Sequence, residues 1–297
     1  MNAQRIETRA RWELPLAEAS ALSLRQDGAG GGLELLAVDD ERFELALSAI
    51  DGGVVPPAEP VDIRAAVANG GGDGDGGSDF EGVASDASRR VFVLQERGQR
   101  VLVLDEGLSG LHCTITLSVP RGHADLGREW HADENTRGEG LVLLRSGHLL
   151  VGKERDAPWL IEFGPPGDDP AGFAPGDALR PDETFSLPRG GTVAFEVLAA
   201  WRVDPGAGVG SVNDLATDAG GRLHVVSAGS RSLARSEALD PRGGVAALTA
   251  WPLPADLFEN EDDKAEGLVF APGLGWLVAL DRGRRVPNLF CLSGVPS

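Results

Sequence analysis

The sequence predicts an all-β protein, a five-bladed β-propeller whose blades are four-stranded antiparallel sheets. Three observations predict this fold. Five segments share one pattern, a tryptophan near a proline marks the strand that follows a segment, and one such strand stands at the N-terminus ahead of the first segment. Because the last segment has no fourth strand after it, we expect the N-terminal strand to close the last blade. Closure of this kind removes exposed sheet edges.

Three strand signals recur in each segment. A short apolar run is followed by a turn of Gly, Asp or Ser, a second apolar run, a polar turn and a third, alternating run. Short runs rich in Val and Leu between turn-forming residues are typical of β-strands, and no segment shows a sustained helical period. The segments begin EASALSLRQ at Glu18, DFEGVAS at Asp79, RGEGLVLL at Arg137, SVNDLATD at Ser211 and KAEGLVFA at Lys264.

The fourth strand is marked by WPLP at Trp251, WRVDP at Trp201 and WELP at Trp12. Since Trp12 precedes every segment, the strand around it is free to pair with the end of the chain. We expect residues 1–297 to form a single propeller domain without a linker. The predicted blade cores lie near residues 18–68, 79–120, 137–205, 211–254 and 264–293, with 5–15 completing the last blade.

Three longer connections stand out. We expect the loops 122–136 and 164–182 to cover one mouth of the ring. The stretch 69–79, rich in Gly and Asp, predicts a plain loop between blades, because it lacks the liganding Glu of a calcium-binding loop.

Acidic residues repeat where the first strand of a blade begins, the strand that lines the channel of a propeller. In the first segment, Ser20 stands there instead. A second set of acids ends the second strand, which runs antiparallel and returns to the same end of the channel. In three segments the two acids are 15 residues apart, so we expect both sets at one mouth. The first set is Glu81, Glu139, Asp214 and Glu266, and the second is Asp40, Glu96, Glu154 and Asp281.

Carboxylates crowded at a mouth need compensation. Two unit charges about 4 Å apart repel by about 4 kcal/mol at an effective dielectric near 20, so a bound cation, arginine partners or raised pKa values are required. Calcium, with about six to eight oxygen ligands in loose geometry, suits such a ring better than zinc, since no His or Cys occupies a repeat position. The predicted metal ligands are Glu81, Glu139, Asn213, Asp214 and Glu266, with Asp40 and Asp281 in a secondary acidic ring.

An arginine follows the second acid in three segments, at Arg97, Arg155 and Arg282. Two interpretations stay open. The arginines hold an anionic substrate beside the catalytic candidates Glu96 and Glu154, or the Glu–Arg pairs only bridge adjacent blades.

The segment starts DFEGV, GEGL and AEGL, with LQER and GKER after two of them, resemble the SdiA-regulated and esterase-like phytase group of propellers. The resemblance spans most of the chain and implies a propeller fold with calcium in or near the channel, but no particular reaction. The step VNDLATDAGGRL at 212–223 is similar to a step of the gluconolactonase and regucalcin family. There a Glu, an Asn and an Asp hold one divalent ion. The matching positions are one of Glu81, Glu139 or Glu266, together with Asn213, while Asp214 matches only the residue that follows the Asn. That family has six blades and a proline after the Glu-Gly step, and this sequence departs from it on both counts.

The charge of the chain limits its partners. With 27 basic and 46 acidic residues, the formal net charge is −19, which argues against nucleic acid or an anionic membrane as the main partner. We expect a small-molecule ligand or substrate instead. We also expect a cytoplasmic location, because no apolar run resembles a signal peptide or a membrane span. A monomer is favoured, although the sequence does not fix the oligomeric state.

Three functions fit these residues. The first is a metal-dependent hydrolase of phosphoesters or lactones, in which the ion polarises the substrate and a carboxylate serves as base. The second is a non-catalytic ligand-binding or scaffold propeller with structural calcium. The third is a glycoside hydrolase that uses paired carboxylates. The fold alone does not choose among them.

Overall fold

The computed structural model describes residues 5–28, 31–56, 59–69, 77–283 and 285–296, so most of the glycine-rich stretch 69–79 lies outside the described residues. The described chain is dominated by strands, as the alternating apolar runs predict. Within it, no helix is long and apolar enough to cross a membrane. The strands are β1 (Glu7–Trp12), β2 (Ala19–Gln26), β3 (Leu33–Asp39), β4 (Glu44–Ile50), β5 (Pro60–Asp62), β6 (Phe80–Ser85), β7 (Val91–Gln95), β8 (Arg100–Leu104), β9 (Leu111–Ser118), β10 (Glu139–Leu143), β11 (Leu149–Lys153), β12 (Trp159–Gly164), β13 (Thr192–Val203), β14 (Asp214–Thr217), β15 (Leu223–Ser227), β16 (Ser232–Ser236), β17 (Gly244–Ala246), β18 (Thr249–Pro252), β19 (Lys264–Ala271), β20 (Gly275–Asp281) and β21 (Leu289–Ser293). The helices are α1 (Arg64–Asn69) and α2 (Ala124–Trp130), with 3-10 turns at Glu134–Thr136, Pro205–Ala207 and Ala255–Leu257.

The first strands of the segments, β2, β6, β10, β14 and β19, form a ring. Each packs against the next, and β19 packs against β2. The following strands extend outward from each first strand as an antiparallel meander. Apolar residues fill the space between neighbouring sheets, so that Leu36 of β3 and Val93 of β7 belong to one buried cluster. This arrangement is a β-propeller with its core between radially placed sheets.

The N-terminal strand closes the last sheet, as the sequence predicts. Strand β1 pairs antiparallel with β21, from Glu7 opposite Ser293 to Trp12 opposite Leu289. The strand order of this sheet is β1-β21-β20-β19, so its outermost strand comes from the other end of the chain.

The outer strands depart from the expectation of separate four-stranded sheets. Strand β13 has 12 residues, twice the length of β12. Its second half pairs antiparallel with β12, while its first half, from Thr192 to Glu196, pairs parallel with β9 of the preceding segment. Because one long strand serves both segments, their sheets merge into a nine-stranded sheet that also includes β17.

Four of the first strands contain a β-bulge close to their beginning. The register with the second strand shifts around Ser20, Glu81, Gly140 and Glu266, each of which is left without a partner. A bulge re-aims the side chain of the extra residue and increases the local twist. The repeated Glu-Gly step therefore marks a β-bulge near the start of the channel-lining strands.

The two long loops lie at opposite ends of the ring, which corrects the expectation that both cover one mouth. The loop 122–136 folds into α2 and a 3-10 turn at the end where the first strands begin, and Arg137 after it donates through Nε to the carbonyl of Trp130 at 3.0 Å. The loop 164–182 crosses the other end, where Leu144 bridges Ala178 and Gly176 donates to the carbonyl of Gly221. We call the second end the turn end, because the first strands turn there into the second strands.

Candidate functional site

Three glutamates meet at the end of the ring where the first strands begin. Carboxylate oxygens of Glu81, Glu96 and Glu139 all lie within 4.8 Å of one another. Glu81 is the bulged residue of β6, Glu139 begins β10, and Glu96 follows the last residue of β7. Glu96 and Glu139 are only 5% and 6% exposed. We call these three residues the acidic triad.

Further acids border the triad, and together they form what we call the acidic mouth. Asp40 hydrogen-bonds to Glu81, and Glu154 hydrogen-bonds to Asn213. The Nζ of Lys264 lies 3.5 Å from a carboxylate oxygen of Glu266 and 3.6 Å from one of Asp281. The structure thus brings both predicted sets of acids to one mouth, apart from Asp214. The acidic mouth comprises Asp40, Glu81, Glu96, Glu139, Glu154, Glu266, Asp281 and Lys264.

Burial at the mouth favours the protonated carboxyls. It raises the pKa of Glu96 to about 8, against the hydrogen bond that Glu96 accepts from the Arg137 amide at 2.7 Å. It also raises the pKa of Glu266 to about 8, although the Lys264 ammonium opposes the shift. Burial and the surrounding carboxylates raise the pKa of Glu81 and Glu139 well above the usual range. Without a cation, the mouth therefore holds protons at neutral pH, and a bound cation would displace them.

Asp214 does not join the mouth, and its predicted role as a metal ligand needs correction. It is fully buried, and its carboxylate accepts backbone N–H groups from three first strands. Leu268 donates at 2.7 Å, Leu215 at 2.8 Å and Leu22 at 3.2 Å. Both oxygens are used, so Asp214 ties β2, β14 and β19 together around the axis. Burial raises the pKa of Asp214 well above its usual range, and these backbone donors oppose the shift.

Asn213 lies at the mouth, but its side-chain amide is oriented so that the oxygen is not free to ligate a metal ion. Its side-chain oxygen accepts hydrogen bonds from the Ser211 hydroxyl at 2.6 Å and from the Ala228 amide at 2.8 Å. The amide nitrogen is then the group that faces Glu154. A donor cannot ligate a cation, so the structure assigns Asn213 to orienting Glu154.

The three arginines have different surroundings. Arg97 and Arg155 are about half exposed, next to Asp79 at 3.4 Å and Glu154 at 3.2 Å respectively. Arg282 does not face the mouth in the predicted way. Its guanidinium is fully buried and pairs with Asp263 at 3.0 Å and with Glu259 at 2.9 Å. Arg282 therefore fits the structural interpretation of the Glu–Arg pairs, and the other two arginines remain at the rim.

The separations among the triad oxygens are compatible with a bound divalent cation. Oxygen ligands lie about 2.3–2.6 Å from Ca²⁺, so ligands on opposite sides of the ion are about 4.6–5.2 Å apart. The triad oxygens, all within 4.8 Å of one another, fit around such an ion. Three carboxylates fill only part of a coordination shell of about six to eight oxygens, so positions remain for water or a ligand.

Two lysines at the mouth were not among the predicted site residues. Lys264 contacts Glu266 and Asp281, and Lys153 is fully buried, with Nζ donating to the Arg155 carbonyl at 2.5 Å. The positive charges of both lysines lower the pKa of Glu154, against the larger effect of its burial. A signal was present in the sequence, because Lys153 and Lys264 are the only lysines among 27 basic residues.

No family model and no curated protein matches the sequence. Among solved structures, the chain is similar to the glutaminyl cyclase of Myxococcus xanthus, with a TM-score of 0.57 and 15% identity over 97% of this chain and 95% of the other. It is also similar to an aldose sugar dehydrogenase of Streptomyces coelicolor in its PQQ-bound form, with a TM-score of 0.48 and 13% identity over 97% of each chain. A third is virginiamycin B lyase of Staphylococcus aureus, with a TM-score of 0.47 and 10% identity over 97% of this chain and 99% of the other. The first of these likenesses, at 15% identity, bears on the fold alone and does not single out the SdiA-regulated and phytase-like group.

Proposed function

We propose that the chain is a five-bladed propeller that binds one divalent cation, Ca²⁺ most readily, at the acidic triad. We propose further that this site serves a hydrolase of phosphoester or lactone substrates. The observation that carries the proposal is the meeting of three carboxylates, from three strands, within 4.8 Å of one another. So many buried carboxyls destabilise the metal-free fold at neutral pH unless something positive binds among them.

The proposed count of five blades is supported by the ring of first strands rather than by the division into sheets. The first strands β2, β6, β10, β14 and β19 pack in sequence and close on themselves. The merged sheet joins two blades at their outer strands only, because β13 reaches β9 and leaves β6 and β10 as separate first strands.

The residues around the triad suit general base catalysis. A divalent cation at this position would polarise a phosphoryl or carbonyl oxygen and lower the pKa of water. Glu154 is the base that the geometry favours, because its side chain is 14% exposed and Asn213 holds it. Burial raises the pKa of Glu154, which brings it closer to the working pH of a base. Glu96, the other catalytic candidate, then acts as a ligand within the triad.

The two exposed arginines give the mouth a place for an anionic group. Arg97 and Arg155 project at the rim, and each already contacts an acid. A substrate phosphate or carboxylate would exchange with those exposed partners, which contribute little to stability by themselves. We therefore propose that the arginines orient the substrate above the triad.

A glycoside hydrolase is a second candidate. In retaining glycosidases the two carboxyl groups are about 5–5.5 Å apart, whereas inverting enzymes need about 6.5–9.5 Å. The triad oxygens, all within 4.8 Å of one another, are closer together than the inverting arrangement requires. A non-catalytic propeller with structural calcium is the third candidate, and a panel of phosphoesters, lactones and aryl glycosides separates it from both enzymes.

Metal analysis with thermal melting tests the cation site. We expect copurifying or added Ca²⁺ to raise the melting temperature by about 5 °C or more at 100 times its Kd, since this concentration adds about 2.7 kcal/mol. A chelator should reverse the shift. Glu139→Gln should abolish both calcium binding and the shift, while Glu237→Gln, on an exposed acid just after β16 at the turn end, should keep both. The proposal is overturned if the wild-type protein copurifies with no ion and its melting temperature changes with neither calcium nor chelator.

A further inference from the structure

The segment of residues 122–137, which we call the α2 segment, contacts the acidic triad directly. Its last residue is Arg137, whose backbone amide donates to a carboxylate oxygen of Glu96 at 2.7 Å. Among the described residues, no other hydrogen bond joins the segment to a triad carboxylate. A carboxylate has about four acceptor positions, so this bond orients Glu96 and still leaves acceptor positions for a cation.

The side chain of Arg137 ties the α2 segment together. Only 6% of this side chain is exposed, and its Nε donates to the carbonyl of Trp130, the last residue of α2, at 3.0 Å. Its Nη2 lies 3.5 Å from the carboxylate of Glu134, which begins the 3-10 turn after the helix. The guanidinium therefore links the helix and the turn to the residue whose amide reaches Glu96.

The α2 segment also binds the turn that carries Glu96 and connects β7 to β8. The side-chain oxygen of Gln99 accepts the indole N–H of Trp130 at 2.9 Å. Arg97 donates through Nε to the side-chain oxygen of Asn135 at 3.0 Å. Trp130 is itself 1% exposed and belongs to a buried apolar cluster. Since Glu96, Arg97 and Gln99 all bond to the segment, the position of this turn depends on the segment.

Glu96 differs in this respect from the other two members of the triad. Glu81 and Glu139 belong to the first strands β6 and β10, whose backbones pack against each other in the ring. Glu96 follows the last residue of β7 and lies in a turn. Its position within the triad therefore depends on what holds that turn.

We propose that Arg137 is a positioning residue for Glu96, and that docking of the α2 segment on the turn of residues 96–99 tightens divalent-cation binding at the triad. This inference rests on the proposed cation site. A cation that needs Glu96 in place binds the docked form more tightly, and by linkage it stabilises the docked form by the same factor. Calcium should therefore protect the segment from opening, and a loosened segment should weaken calcium binding.

Calcium titration by calorimetry on the full chain tests one direction of this coupling. Arg137→Met removes the contacts with Trp130 and Glu134, so we expect the Kd for calcium to rise by about tenfold. Loss of a positive charge would by itself strengthen cation binding, so the sign of the change separates positioning from charge. Arg128→Met is the matched control, because Arg128 lies in the same helix, is 71% exposed and contacts Asp125. It removes the same charge, and its Kd should stay the same or fall.

Trypsin cleavage after Arg128 tests the other direction, since cleavage within a folded helix requires the segment to open. We expect calcium to slow cleavage of the wild type by about tenfold. With a chelator present, Glu96→Ala removes the acceptor of the Arg137 amide and should speed cleavage by about fivefold. Glu96→Gln keeps an acceptor oxygen and should be cleaved at the wild-type rate. Glu81→Ala is the matched control, because it removes a triad carboxylate that is not bonded to the segment, and its rate should also stay unchanged.

The two measurements separate failure of the inference from failure of the cation site. If the wild type binds calcium without protection of Arg128, and Arg137→Met binds it no more weakly, the inference is wrong while the triad site stands. A wild type that binds no calcium overturns the triad proposal. The metal-free cleavage rates then decide the positioning contact, because faster cleavage in Glu96→Ala than in Glu81→Ala supports it and equal rates overturn it. The same comparison decides the matter if Arg137→Met does not fold.

Discussion

The two ends of the ring use buried acids in opposite ways. At the turn end each such acid has a partner of its own. Asp86 pairs with Arg90 at 2.5 Å, and Glu162 accepts His148 Nδ1 at 2.6 Å together with two backbone amides. At the acidic mouth, the triad glutamates have mainly each other. The same residue type is thus structural at one end and available for a ligand at the other.

The pKa directions follow this difference. Burial alone would raise the pKa of Asp218 at the turn end, but hydrogen bonds from Arg222 and His224 hold it below its usual value. At the mouth, none of the residues that the structure describes gives Glu139 a comparable donor, and burial and the surrounding carboxylates together raise its pKa. Burial of a carboxylate therefore costs little free energy where a hydrogen-bond donor lies beside it. Where no donor is present, the buried carboxyl keeps a proton or binds a cation.

The largest expected effect comes from breaking a partnered acid. Arg90→Met leaves Asp86 buried without its guanidinium, so we expect a loss of about 3–5 kcal/mol in the free energy of unfolding. Urea denaturation measures it. Asp240→Asn is the matched control, because the Asp240–Arg242 pair is as short, at 2.6 Å, but lies in solvent. A loss from Arg90→Met no larger than that of the control would contradict the assignment of the turn end as structural.

A smaller effect is expected where the first strands approach one another at the mouth. Gly140 has φ +68°, and a Cβ there would lie 2.6 Å from the Leu215 nitrogen, beside Asp214. Gly140→Ala should therefore destabilise the fold by about 2–3 kcal/mol, through left-handed strain and the backbone clash. Gly147→Ala is the control, since its φ is +91° with no atom within 4 Å of the added Cβ. Equal losses in the two variants would show that the strands do not need this close approach.

The sequence predicted the repeating parts of this molecule better than its individual contacts. The spacing of 15 residues between Glu81 and Glu96 was enough to predict that both acids reach one mouth, because strands alternate direction. The pairing of β1 with β21 followed from a count of strands. These inferences needed only the pattern that neighbouring segments share.

Three assignments could not be made from one segment at a time. Asp214 looks like the other channel acids, but its partners are amides of three different first strands. The orientation of Asn213 depends on Ser211 and on Ala228, which follows the end of β15. The merged sheet depends on a strand long enough to reach its neighbour, whose pairing leaves no sequence motif.

The last prediction compares the two ends directly, in metal-free protein with a chelator present. Because the pKa of Glu266 rises to about 8 on folding from an ordinary value of 4.5, the folded state holds the extra proton between these values. The contribution of the protonated Glu266 to the free energy of unfolding is fully present below about pH 4.5. It is lost as the pH rises through about 8, because the folded state then carries a buried charge. Removing the charge with Glu266→Gln should therefore stabilise the protein by several kcal/mol at pH 9 and by about 1 kcal/mol or less at pH 5.

Glu162→Gln makes the comparison at the turn end, where the carboxylate is held by His148 and by the amides of Ala171 and Gly172. It should destabilise the protein at both pH values, because it replaces an acceptor oxygen with a donor. Urea denaturation of both variants at pH 5 and pH 9 gives the four free energies. Stabilisation by Glu266→Gln at pH 9 alone would mean that the buried charge of the Glu266 carboxylate destabilises the mouth. A loss at both ends would mean that Glu266 is structural and that the two ends of the ring do not differ in this way.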